Sequence, residues 1–215
     1  MTDIHYPVYA GKRNVSLGAM RREYIPLVME GINDLSVTRG VLTRPPVTLE
    51  MEYAWYDNAF TKQSDSDNAF AILRHTDKPE GRTYEYIGHT GLHRMNFPSA
   101  FGSTGSLIVK KDALGKGYGT EAKMLLLYHA FRVKGLRKVI SEVKAFNGNS
   151  WGHLLKCGYE VIGRRKDHHF SDGAYVDEVV LEVFRETWEP LWERYQKSGE
   201  LPMLTKKQRT LIARS

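Results

Sequence analysis

Apolar positions divide the chain into short elements. Asn14–Met20 reads as a strand. Arg22–Asn33 carries Tyr24, Leu27, Val28 and Ile32 at helical spacing, and Thr48–Phe60 does the same with Leu49, Tyr53 and Tyr56. Pro45-Pro46 breaks the chain between them. The polar stretch Thr61–Asp67 predicts a turn. Strands are expected at Asn68–Arg74 and Thr83–Met95, joined at Asp77–Gly81, with a loop opening at Asn96-Phe97-Pro98. Gly105–Lys110 predicts a further strand, and Gly119–Lys134 a helix stopped by Gly135. Lys138–Phe146 reads as a strand and Ser150–Lys156 as a short helix ended by Gly158. Tyr159–His169 and Ala174–Arg185 form a closing hairpin turned at Ser171-Asp172-Gly173. Strands interleaved with helices predict an α/β (α+β) domain, a mixed twisted sheet with helices on both faces.

The two ends differ from this body. Residues 1–13 carry no pattern and read as a lead-in. Trp188, Leu191, Trp192 and Tyr195 recur at i, i+3, i+4 and i+7, one apolar helical face that must pack on the domain or on a second subunit. After Leu201 come Lys206, Lys207, Arg209 and Arg214 with no acid, either a solvated tail or a partner-binding arm. The expected division is therefore 1–13, 14–185 and 186–215. No apolar run approaches the ~18–20 residues of a membrane span. Met1-Thr2-Asp3-Ile4-His5 lacks the marks of a secretory signal. The single cysteine, Cys157, excludes an intrachain disulfide and suits a cytoplasmic protein, where it reads as a small apolar packer. The net charge of +6 fits a phosphate-bearing ligand, a ribosome or a nucleic acid, and no aromatic-plus-basic signature favours the last two.

The most specific stretch is Leu114-Gly115-Lys116-Gly117-Tyr118-Gly119-Thr120-Glu121-Ala122. It lies between the strand-like Ser106-Leu107-Ile108-Val109 and the apolar run Met124–Tyr128. Alternating glycines let backbone N–H groups converge on an anion, and the helix start adds roughly half a positive charge. A P-loop would need Ser or Thr after Lys116, where Gly117 stands. A dinucleotide fold would need glycine in place of Thr120; Glu142 falls near the distance of its acidic residue, so the loop alone leaves that reading open. A tight strand-to-helix turn without a ligand is the plainer alternative.

Three further motifs decide among these: Ile87-Gly88-His89-Thr90-Gly91-Leu92 before the loop, Asn147-Gly148-Asn149-Ser150 with Lys156-Cys157-Gly158-Tyr159 after it, and Asp172-Gly173-Ala174-Tyr175-Val176-Asp177. In this order they resemble the GNAT superfamily of acyl-CoA-dependent N-acetyltransferases, most closely its RimJ/RimL-type ribosomal-protein branch, from about Asn14 to Phe184. The resemblance implies the GNAT fold, a mostly antiparallel sheet, with acetyl-CoA as co-substrate and an amine as acceptor. It implies that Leu107, Ile108 and Val109 offer backbone groups to the pantetheine. It gives the pyrophosphate to the backbone of Gly115, Lys116, Gly117, Tyr118 and Gly119, with Thr120. It implies contact of Asn147 with the pantetheine or substrate region, and of Ser150 with the departing sulfur.

Several family side chains are missing. Leu114 stands where Arg or Gln is usual, Leu154 where many relatives carry a general-acid Tyr, and Ser103 where a Glu base is common. Ser150 also suits a plain helix N-cap. By the same resemblance His169 falls at the position of a late-strand carboxylate. A histidine suits proton removal near neutral pH, and His168-His169 equally suits a solvated hairpin. His93, His153 and His169 have no Cys partners at zinc spacing, so no metal is expected. The expected activity is N-acetyl transfer to a protein N-terminus, a polyamine or an amine-bearing small molecule. The alternative is a CoA-binding sensor or ribosome-associated module without catalysis.

Overall fold

The computed structural model describes residues 7–41, 46–60 and 66–213. Its strands are β1 (Pro7–Ala10), β2 (Val15–Ala19), β3 (Asn68–Lys78), β4 (Gly81–Asn96), β5 (Phe101–Ile108), β6 (Lys138–Lys144), β7 (Glu160–Ser171) and β8 (Ala174–Phe184). They form one eight-stranded sheet in the order β1-β2-β3-β4-β5-β6-β8-β7. Every neighbouring pair is antiparallel except β5 and β6.

Alternation on β3 shows why both faces need cover. Phe70 and Ile72 point into one core, Ala71 and Leu73 into another. The larger core is closed by α4 (Tyr118–Tyr128), α5 (Gly148–Lys156) and α6 (Arg185–Ser198). The smaller is closed by α1 (Ile25–Ile32) and α3 (Leu49–Phe60), with the short α2 (Leu35–Thr38) between them. Asp34 caps α2 by accepting the N–H of Ser36 at 2.9 Å. The mixed sheet with helices on both faces is the expected architecture.

The elements differ from the sequence reading in instructive places. Pro7–Ala10, read as part of a lead-in, is an edge strand on β2; residues 1–6 and Pro45 lie outside the described residues, as does most of the Thr61–Asp67 turn. β5 begins at Phe101, so half of the loop expected before it is strand. α4 does not run on regularly to Lys134. From His129 to Val133 it widens into a π-helical turn, which turns His129, Ala130 and Phe131 inward in succession. His129 is held there by Tyr9 Oη at 2.7 Å and Asn68 Oδ1 at 3.0 Å.

The apolar face of α6 packs on the domain. Trp188 and Tyr195 are fully buried, and Leu191 and Trp192 pack against the same core. Tyr195 Oη donates to Glu121 Oε1 on α4 at 2.5 Å, and Glu121 also accepts the N–H groups of Arg13 and Asn14. The stretch after Leu201 is neither a solvated tail nor a free arm. α7 (Lys206–Ala213) packs with Leu204 and Ile212 on the larger core, and Gln208 Nε2 donates to the Leu155 carbonyl at 3.2 Å. Its basic residues lie on the opposite, exposed side, which is why charge dominated the reading. Among the described residues no helix is long and apolar enough to cross a membrane.

Candidate active site

The parallel pairing of β5 and β6 is short. It joins Phe101–Ser103 to Lys138–Ile140 and stops. Beyond it β5 stays with β4 as far as Ile108, and β6 stays with β8 as far as Lys144. The two strands therefore diverge, and the facing edges of Thr104–Ile108 and Ser141–Lys144 border a gap in which neither strand pairs with another among the described residues. Three hydroxyls close its apex: Thr104 Oγ1 lies 2.5 Å from Ser141 Oγ and 3.2 Å from Tyr159 Oη. A cavity of about 890 Å³ passes through the gap, walled by both strands, α1–α3, α4, α5 and the β7–β8 hairpin.

Register separates the two sides of this cavity. Thr104 pairs with Leu92 and Ser141 with Leu181, both in the larger core, so these hydroxyls face α4. Lys123 of α4 and Leu154 of α5 line the cavity on that side. Glu142 and Glu178 alternate with core residues and face the other way, where Glu52 of α3 and His89 also line the wall.

The glycine loop lies just beyond the end of β5. Gly115 (φ 73°) and Gly117 (φ 87°) adopt left-handed conformations, and Gly117 is the N-cap of α4. Among the described residues no acceptor takes the backbone N–H groups from Gly115 to Thr120. Unpaired donors converging on a helix start suit a pyrophosphate. Lys116 is exposed beside them, and Leu114 is 45% exposed and offers nothing. Of the three strand residues, Leu107 reaches the cavity, Ile108 packs on the core, and the N–H of Val109 is already bonded to the Ile87 carbonyl at 2.9 Å.

Asn147 is the N-cap of α5: its Oδ1 accepts the N–H of Ser150 at 3.1 Å, and its Nδ2 donates to the Gly40 carbonyl at 3.1 Å. Its amide is spent joining α5 to the segment after α2. Lys144 does the same through the Arg39 carbonyl at 3.2 Å. The capping role that Ser150 suited thus belongs to Asn147. The Ser150 hydroxyl lines the cavity and makes no hydrogen bond among the described residues.

His169 also lines the cavity, and its Nε2 lies 2.8 Å from Glu178 Oε2. The carboxylate only accepts, so Nε2 carries the hydrogen of this contact and Nδ1 is the ring nitrogen left for other partners. Glu178 is 6% exposed and is further bound by Arg165, which also reaches Glu142 Oε1 at 2.8 Å. His168, His169 and Glu178 place ligand atoms within 4.8 Å of one another, a grouping across the hairpin that linear spacing does not show. The guanidinium on Glu178 Oε1 competes with any cation there.

Sequence reasoning missed Lys123, Glu178 and Glu52. Lys123 shares its helix face with Thr120, Leu126 and Leu127, so a charge on an apolar face was the available signal. It is 2% exposed, and burial pushes its amine down to about 8. No acceptor or carboxylate pairs with it among the described residues. Burial, then the charge of Lys123, pushes His153 down to about 3.

Residues 15–160 match the model of the acetyltransferase (GNAT) domain, more than half of the chain. The chain belongs to the GNAT acetyltransferase family. The GNAT fold is shared with the spermidine N-acetyltransferase from Vibrio cholerae crystallised with CoA and spermine. That protein is 16% identical, at a TM-score of 0.71, covering 82% of this chain and 98% of the other. A T. thermophilus protein assigned as an acetyltransferase is 27% identical at a TM-score of 0.69, covering 92% of this chain and 98% of its own. No curated protein matches the chain. Membership of the GNAT family agrees with what the backbone offers, a donor-rich loop leading to an open strand edge.

Proposed function

We propose that the protein is an acetyl-CoA-dependent N-acetyltransferase whose acceptor is a cationic primary amine, such as a polyamine or a protein N-terminus. The observation that carries this reading is the cavity through the sheet, with unpaired strand edges at its middle and carboxylates on one side only. Gly115–Thr120 hold the pyrophosphate through backbone N–H groups, and the edge of β5 at Leu107 aligns the pantetheine. The bound co-substrate supplies the activated acyl group. The chain's own residues then act on the acceptor. Glu52, Glu142 and Glu178 attract an ammonium group to the α1–α3 side. His169, oriented by Glu178, accepts the proton that makes the amine nucleophilic. Ser150 lines the cavity with a hydroxyl that makes no hydrogen bond among the described residues, a donor for the departing sulfur.

Two measurements test it. Calorimetry with CoA should give saturable binding of one molecule per chain. Thiol release from acetyl-CoA should then rise on adding spermidine, spermine or a short peptide with a free N-terminus. No binding of CoA overturns the reading. Binding without turnover on any amine replaces it with a CoA sensor, the reading that the missing Leu114, Ser103 and Leu154 functions favour.

A further inference from the structure

A lysine sealed inside a protein without a counter-charge is costly, because removing an ammonium ion from water is repaid only by a partner or by ionised hydrogen-bond acceptors. Lys123 comes close to this case, with no carboxylate paired to it among the described residues. It sits in the second turn of α4, is 2% exposed, and opens only to the cavity between β5 and β6. The groups around it do not compensate. From β4 comes His93 and from α5 come His153 and Cys157, none of which carries a negative charge at neutral pH. Burial and then the charge of Lys123 push the imidazoles down, on His93 against the opposing pull of Asp67, whose Oδ1 lies 3.5 Å from its Nδ1, and burial holds the Cys157 thiol up at about 12. From the strands come the Thr104 and Ser141 hydroxyls, which bond each other. The carboxylates of the cavity all lie on the far side of the sheet.

The cation therefore lacks a negative charge among the described residues, at a place where the proposed reaction creates one. Resting on the acetyltransferase reading, we propose that Lys123 is the catalytic general acid, donating a proton from Nζ to the sulfur of CoA as it leaves. The bond between the amine nitrogen and the acyl carbon forms, the carbon–sulfur bond breaks, and sulfur keeps the electron pair. Nζ gives one proton to sulfur and becomes neutral. The proton lost by the acceptor nitrogen passes to His169 and to water, from which Lys123 is recharged when the thiol departs. An amine near 8 is well matched, being mostly protonated at neutral pH and a better acid than an ordinary lysine. Leu154, fully apolar on α5, leaves this side with no other strong proton donor than Lys123 among the described residues.

The test uses the full chain and Lys123→Met, which keeps the length of the side chain without its charge. Calorimetry at about pH 8 compares CoA with desulfo-CoA, which lacks the sulfur. The parent protein is expected to prefer CoA, through contact of the ammonium with sulfur, and Lys123→Met to bind both alike. Turnover should fall by roughly 100-fold or more with the KM for acetyl-CoA changed less than about threefold. An acetyl thioester with a more acidic thiol should recover much of the loss. Turnover within about threefold of the parent, or equal weakening of both ligands, overturns the inference. If the parent itself fails to bind CoA, the functional reading falls instead. Should Lys123→Met not fold, the same comparison on Lys123→Gln decides.

Discussion

The two sides of the cavity are built by different rules. Toward α4 lie one uncompensated cation, Lys123, and a cluster of hydroxyls, held in the larger and fully packed core. Toward α1–α3 lie Glu52, Glu142 and Glu178, the last two bound to Arg165 and thus part of a paired network at the rim. Among the described residues, the gap between β5 and β6 is the passage in the sheet that the pairing leaves open between these environments. A wall with one buried cation and no carboxylate suits a leaving anion, and a wall with these carboxylates, beside Lys144 and Arg39, suits an arriving ammonium. The difference teaches that the carboxylates here are placed by strand parity: Ser141 and Glu142 are neighbours in sequence and face opposite sides of the sheet.

The largest expected effect comes from removing the anion cradle that leads to the α4 side. In Gly117→Asp a carboxylate would occupy the N-cap of α4. Asp is a good cap, and the left-handed φ of 87° costs a non-glycine residue roughly 1–2 kcal/mol, so the fold should survive. The negative charge would nevertheless stand where the phosphates belong. CoA affinity should drop by at least roughly 100-fold in calorimetry, with the melting temperature moving by only a few degrees. Unchanged affinity would mean that the free N–H groups of the loop serve something else.

A smaller effect is expected on the opposite wall. His169→Gln removes the ring nitrogen Nδ1 and Glu178→Gln removes the charge that orients it. Each should lower kcat by about 10- to 100-fold while CoA binding stays as it was, since neither residue touches the loop. The loss should be larger for an acceptor amine of high pKa than for one already partly neutral near pH 8. Equal losses on both acceptors would make the pair structural, a clamp between β7 and β8.

The contrast in legibility follows the same division. Backbone chemistry is written locally: Gly115, Lys116, Gly117 and Thr120 lie within six positions, and their loop stands where the spacing places it. The sheet was legible because alternation at Phe70–Leu73 reports both faces. Acid–base chemistry is written across strands. Glu178 meets His169 nine positions away through a hairpin whose register shifts between Arg165 and His169, and no linear pattern gives that offset. Asn147 and Ser150 were read from one motif, yet the cap belongs to the first, because Gly148 already starts the helix. Lys123 was hidden by composition: in a run of Ala, Met and Leu, one lysine looks like the exposed edge of the helix until the second layer, α5, covers it.

The smallest effects concern stability, and they set two buried bases of the same helix against each other. His129 has partners, Tyr9 and Asn68, while Lys123 has none among the described residues. Burial first, then the nearby charge of Lys134, pushes His129 down from 6.5 to about 4. Burial pushes Lys123 down from 10.5 to about 8. In each case the unfolded chain binds the proton more readily than the folded one, so stability rises with pH across the window between the two values. For His129 that window runs from about 4 to 6.5, and stability is lost as the pH falls through it. For Lys123 it runs from about 8 to 10.5, so the native protein carries a penalty at neutral pH that fades on the alkaline side. Each shift corresponds to at most roughly 3–4 kcal/mol, and about 1–2 kcal/mol is expected once water and local relaxation ease the buried charge. Denaturant titrations from pH 4 to 7 and from pH 8 to 10.5 would read both. His129→Gln should make the acid limb shallower by the share of His129 and leave the alkaline limb unchanged, the remaining acid slope belonging to His153, which burial also pushes down, to about 3. Lys123→Met should be more stable than the parent at pH 7, even as turnover falls, and that advantage should shrink from pH 8 to 10.5. The difference between the two proteins is the readout, because the buried Cys157 thiol, held up at about 12, lowers the stability of both as the pH rises. A destabilised Lys123→Met at pH 7 would show that the lysine is compensated within the fold, and the contrast between the two walls would lose its cationic half.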